Sequence, residues 1–103
     1  MEYKFDWDPK KDKANLRKHG TTFRQAASVF LDPNQLSMFD EEHSDKEDRW
    51  ITIGLDSKGV LRVVIHTFET IEEELCSIRI MSARNAEPEE QAQYLEMIDE
   101  SKI

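Results

Sequence analysis

Two apolar runs, "RWITIGL" (residues 49–55) and "VLRVVIHTF" (residues 60–68), flank Asp56-Ser57-Lys58-Gly59. Alternating β-branched and aromatic residues on both sides of a type I turn, with glycine at the bulge position, specify a hairpin. With that loop Asp56 opposes Val60, and the register follows. Ile51, Ile53 and Leu55 share a face with Leu61, Val63 and Ile65, while Trp50, Thr52, Arg62, Val64 and His66 share the other. A greasy face this wide must be covered, so the remaining chain has to supply helices and further strands.

The flanking sequence supplies both. Tyr3 to Trp7 alternates at period two, a short strand. Asp8 and Pro9 suit the N-cap and first position of a helix ending at His19, and Gly20 suits its left-handed stop. Thr22 and Gln25 have capping-box spacing, and Phe23, Ala26, Ala27 and Phe30 give the buried stripe of a second helix. Asp32-Pro33-Asn34 breaks that helix. Leu36 to Asp40 reads as a strand, followed by a solvated acidic loop, "DEEHSDKEDR". A further strand covers about Glu74 to Ala83. Strict alternation there places Cys76, Ile78 and Ile80 with the greasy set, and Arg79 beside Arg62 and His66. A last helix starts near Pro88, with Tyr94, Leu95 and Ile98 as its stripe. The predicted architecture is α+β: an antiparallel meander with helices on one face, in the order β-α-α-β-β-β-β-α.

The 103 residues suffice for one domain, residues 1–103, with one core. Charged residues make up 35% and mean hydropathy is −0.72, but the apolar residues fall in periodic blocks, as in a folded chain. No apolar run is long enough to span a membrane, and the polar, acidic N-terminus does not resemble a signal peptide. The single cysteine, Cys76, makes a disulfide framework impossible and suits a reducing cytoplasm. The net charge of −8 argues against a surface that grips nucleic acid throughout. The acid is unevenly placed. Residues 1–36 carry seven Lys/Arg against five Asp/Glu, residues 37–74 four against eleven, and residues 75–103 three against six. A local basic site is compatible with that distribution.

Nucleophile-elbow, glycine-rich phosphate-loop and zincin motifs are missing. The three histidines, His19, His43 and His66, lie far apart in different elements, so no metal or cofactor is expected. The acidic loop lacks calcium-loop spacing and reads as a solvated charge run. The second face of the hairpin is more informative. Arg62, His66 and Arg79 on one surface each need a partner or water. They describe either an exposed sheet face carrying long side chains, or a cationic platform beside Trp50 able to bind phosphate and stack a base.

Five ordered pieces then carry a family resemblance: W-D-x-x-K-x-x-x-N-x-x-K-H-G from Trp7, F-x-x-A-x-x-V-F-x-D-P from Phe23, R-[FW]-I-x-I-G from Arg49, V-V-x-H-T from Val63 and R-I-x-S-A-R from Arg79. Together they resemble the BrnT family of type II toxin–antitoxin toxins. The resemblance implies a RelE-like fold and a ribonuclease that cleaves RNA and arrests translation. It also implies a BrnA-like antitoxin with a ribbon-helix-helix part, through which alone DNA would be contacted. Metal-free RNA cleavage needs a base for the 2′-hydroxyl, cations for the pentacoordinate phosphate and an acid for the leaving oxygen. The matching positions nominate Arg79 and Arg84 for the phosphate, His66 as acid or base, and Arg62 and Trp50 for substrate positioning. Lys18 and His19 serve equally well as a helix end that favours cations or as contacts for RNA or antitoxin.

One departure bears on activity. The family's last helix is Thr-led and Arg-rich, whereas this chain has "NAEPEEQAQYLEMIDE", which keeps Tyr94 but replaces the basic residues with Glu and Gln. The alternative to an active nuclease is therefore a toxin-derived module that binds antitoxin and takes part in operon autoregulation with little or no RNA cleavage.

Overall fold

The computed structural model describes residues 2–101. Its hairpin consists of β3 (Trp50–Leu55) and β4 (Leu61–His66), with Ile51 opposite Ile65, Ile53 opposite Val63 and Leu55 opposite Leu61. The Asp56 amide donates to the Val60 carbonyl, and Gly59 takes φ 80° at the bulge. The expected register is thus present. Around the hairpin lie β1 (Glu2–Asp6), α1 (Pro9–His19), α2 (Phe23–Ala27), β2 (Leu36–Phe39), β5 (Glu69–Glu72), β6 (Leu75–Asn85) and α3 (Pro88–Ser101). Short 3-10 turns, Ser28–Leu31 and Glu41–His43, follow α2 and β2.

The strands form one six-stranded sheet in the order β1-β6-β4-β3-β2, with β5 also paired to β6. The sheet is mixed, which corrects the predicted antiparallel meander. β1 runs parallel to the first half of β6, and β5 is a strand beyond the predicted count, with every residue exposed. The helices are not confined to one face either. Phe23, Ala26, Val29 and Phe30, from α2 and the turn after it, pack on Val64, Ile78, Ile80 and Ala83. Tyr94 and Ile98 of α3 pack against Ile53 and Val63 on the opposite face. Leu95, expected in that stripe, is exposed.

A bulge explains the largest discrepancy. Ile65 pairs with Ser82 but His66 pairs with Ile80, so Met81 is an extra residue in β6. One inserted residue inverts the alternation of everything before it. Cys76, Ile78 and Ile80 therefore turn to the His66 face, not to the Ile51 face, and Arg79 turns away from Arg62 and His66.

The helix signals are satisfied with one exchange. Asp8 caps α1 by accepting from Lys10 N, and Gly20 (φ 75°) ends it by donating to the Leu16 carbonyl. The Thr22 hydroxyl accepts from Gln25 N, but the Gln25 side chain reaches Ser57 rather than closing the box, and Asp12 accepts from the Phe23 amide. Buried Asn15 donates its amide to the carbonyls of Ala83 and Thr21 and accepts from Ala83 N at 3.1 Å. β1 pairs with β6 only as far as Arg79. Asn15 takes over the strand edge beyond it, which ties α1 to the sheet.

Candidate functional site

Each strand position presents its side chain to one face, so the register sorts the nominated residues. On the α2 face, Arg62 is buried: Nε donates to Asp56 Oδ2 at 3.0 Å and Nη1 to Asn85 Oδ1. Asp56 also accepts from the Lys58 and Val60 amides. Burial alone would raise its pKa, but these donors together with Arg62 hold it below the usual carboxylate value. Arg62 thus braces the hairpin turn. His66 is 2% exposed and lies edge-on to Phe30. Its Nδ1 is 2.9 Å from the Thr67 carbonyl, which requires a proton on Nδ1, and its Nε2 is 2.7 Å from the Thr52 hydroxyl. Ser37 continues that chain at 2.7 Å from Thr52. Burial lowers the His66 pKa despite the Thr67 bond. A neutral imidazole with both nitrogens occupied has neither a free lone pair nor a spare proton for substrate. Trp50 stacks edge-on with Phe39 and, with Tyr3, Phe30, Phe68 and Ile78, lines an apolar cleft of about 230 Å³ over His66.

Arg79 and Arg84 belong to the other face and have partners there. Arg79 pairs with Asp6 opposite it on β1, both exposed. Arg84 forms a two-pronged ion pair with Glu90 of α3, Nη1–Oε1 2.7 Å and Nη2–Oε2 2.9 Å. The pair raises the Arg84 pKa and lowers that of Glu90. The expected platform of Arg62, His66 and Arg79 beside Trp50 is therefore not assembled: the structure divides it between two faces.

A different constellation occupies the α3 face. α3 covers the row Ile53–Val63–Arg84, but the next row, Ile51–Ile65–Ser82, is open. It floors a trough of about 420 Å³ rimmed by Lys11, Asp40, His43 and Arg49. A second hollow shares Lys11, Met81 and Ser82 with it and continues along α1 past Lys18 and His19. The far rim is the loop that the sequence suggested was merely solvated. Its neck is tied: Asp40 N donates to the Arg49 carbonyl, the Ser44 hydroxyl donates to the Asp40 carbonyl, and Arg49 N donates to Ser44 Oγ. Asp40 and Arg49 are thereby held next to each other beside the sheet.

The sequence nominated Lys18 and His19 but missed Lys11, Asp40, His43 and Arg49. Lys11 stands in the same motif as Asn15 and Lys18, one helical turn before Asn15, and that spacing could have placed it on the same side of α1.

The fold and the trough together define a small α+β protein of net charge −8 with an open sheet face rimmed by Lys11, Asp40, His43 and Arg49. The family model described as the ribonuclease toxin BrnT of type II toxin–antitoxin systems matches residues 7–90, and the chain belongs to that family. The 1.1 Å crystal structure of the Brucella abortus ribonuclease toxin BrnT superposes with a TM-score of 0.55 at 25% identity, covering 84% of this chain and 99% of that one. No curated protein sequence matches. Among the described residues, no helix is long and apolar enough to cross a membrane.

Proposed function

We propose that this chain is a cytoplasmic endoribonuclease toxin that cleaves RNA without a metal, arrests translation and is neutralised by a BrnA-like ribbon-helix-helix antitoxin. The observation that carries this is the trough. A protein of net charge −8 places Lys11, Lys18 and Arg49, with His19, His43 and Asp40, around one open strip of sheet. Such a strip suits a single RNA strand, with backbone phosphates at the rim and a base over Ile51 and Ile65. Arg79 and Arg84 lie on the same face and would add charge along β6 on release from their partners Asp6 and Glu90. In this arrangement the acidic surface elsewhere leaves DNA contact to the antitoxin.

Induced expression without antitoxin tests the function. The wild type should halt growth and fragment RNA, and a Lys11→Ala/Arg49→Ala double variant should do neither. Cleavage by the purified protein should survive EDTA. Equal growth and intact RNA in both cultures would remove the nuclease assignment. The same result would favour a second reading, a binding module that keeps the antitoxin contacts and cuts no RNA. The Arg84–Glu90 pair supports that reading, because it draws a nominated phosphate ligand into a contact with the acidic last helix.

A further inference from the structure

The trough contains a pair of side chains already arranged for proton transfer. The Asp40 carboxylate, 12% exposed, sits 3.1 and 3.0 Å from Nδ1 of His43 through its two oxygens. A carboxylate can only accept, so Nδ1 carries a proton, and in the neutral ring Nε2 keeps a lone pair. The His43 side chain is 62% exposed. The contrast with His66 is direct, since that ring has both nitrogens engaged in the core.

Arg49 lines the same trough, and its Nε is buried without a hydrogen-bond partner, the only buried side-chain nitrogen or oxygen in that state among the described residues. An unmet guanidinium donor in a buried position is unfavourable until an acceptor arrives. A shift of the guanidinium toward the trough would let an anionic oxygen there supply one. Lys11 faces His43 from α1, while Glu42, Asp45, Lys46 and Glu47 surround it on its own loop.

Building on the nuclease reading above, we infer that His43 is the general base, Asp40 its positioning residue and Arg49 the ligand of the scissile phosphate. His43 Nε2 takes the proton of the ribose 2′-hydroxyl. The 2′-oxygen attacks phosphorus, a new P–O2′ bond forms and the P–O5′ bond breaks. The departing 5′-oxygen takes a proton from water, and the imidazolium returns its own to solvent. The products are a 2′,3′-cyclic phosphate and a 5′-hydroxyl, with no net oxidation and no co-reactant. Arg49 carries the charge that builds on the phosphoryl oxygens.

Steady-state cleavage of an RNA oligonucleotide by the purified full chain tests the assignment. His43→Ala and His43→Gln should each lower kcat about 100-fold or more, with an unchanged thermal midpoint because the side chain is largely solvated. Added imidazole should restore part of the activity of His43→Ala. Asp40→Asn should lower kcat at constant KM, and a substrate with 2′-deoxyribose at the cleaved nucleotide should be inert. Wild-type kcat in both folded His43 variants would overturn the assignment while leaving the nuclease reading intact. An inactive wild type would remove both.

Discussion

Tyr94 and Asp32 show how much single side chains carry in a chain this small. The Tyr94 hydroxyl donates to Asp32 Oδ2 at 2.6 Å, and the same carboxylate accepts from Leu55 N and Asn34 N. Burial works to raise the Asp32 pKa, but these donors outweigh it and hold it below 3.8. Burial and the nearby Asp32 charge push Tyr94 from 10.0 to about 12. A raised folded pKa stabilises below the unfolded value and loses that stabilisation as pH climbs through the folded one. Wild type should therefore lose stability between pH 10 and about 12, measured as urea midpoint against pH, and Tyr94→Phe should lack that descent. At neutral pH Tyr94→Phe should cost about 1–3 kcal/mol, because Asp32 loses a buried donor. His66 has the opposite sign. Its folded pKa lies below 6.5, so its stabilisation is complete above that value and is lost as pH falls through the folded value. Asn15→Ala strands the amide and carbonyl of Ala83 and should lower stability by about 2 kcal/mol or more in the same urea experiment.

At the scale of elements, the contacts between β3 and the turn after α2 leave no space for a side chain at Gly54. A Cβ there would lie 2.8 Å from Val29 Cγ1 and 3.2 Å from Asp32 Oδ2. Gly54→Ala should destabilise by about 1–3 kcal/mol, seen as a lower thermal midpoint, because a buried valine must move. The hairpin, both helix caps of α1 and the stripe of α2 were all legible in the sequence, since each rests on local chemistry: turn residues, capping oxygens and helical spacing. The site was not legible, for a reason that is also local but faint. The only mark of the bulge is that the polar positions run Ser77, Arg79 and then Ser82, Arg84, and a strict period of two carried through Met81 passes over that slip. That single residue separated Arg79 from His66 and turned it to the face that Arg84 already occupied. The Asp40–Arg49 neck was equally hidden, because an acidic run reads the same whether it is solvated or tied by Ser44. Glu90→Gln tests what α3 does to Arg84. Losing a half-exposed ion pair should cost under about 1 kcal/mol, while a released Arg84 should tighten binding to single-stranded RNA, measured by fluorescence anisotropy.

Over the whole molecule, the balance between a strongly acidic surface and one small cationic strip sets how RNA can be held. Long-range attraction to a polyanion is unfavourable for a chain of net charge −8, so under the proposed nuclease function recognition would come from contacts inside the trough. Among the described residues, Lys11, Lys18 and Arg49 alone bring fixed positive charge to its walls. If those three neutralise three phosphates, log K against log salt should fall with a slope of about −2 for single-stranded RNA. A whole-surface binder making six to ten such contacts would give a much steeper line. Lys18→Ala should flatten the slope by about 0.7 and weaken binding to all sequences alike, since a lysine on a phosphate reads no base. The acidic background adds a second expectation: lowering the salt should strengthen RNA binding less than three cations alone would give, because the same change unscreens repulsion from the surrounding carboxylates. A measured slope at or beyond −5 would need about seven phosphate contacts, more than the trough together with Arg79 and Arg84 of β6 can supply, and would place the binding surface largely outside the trough.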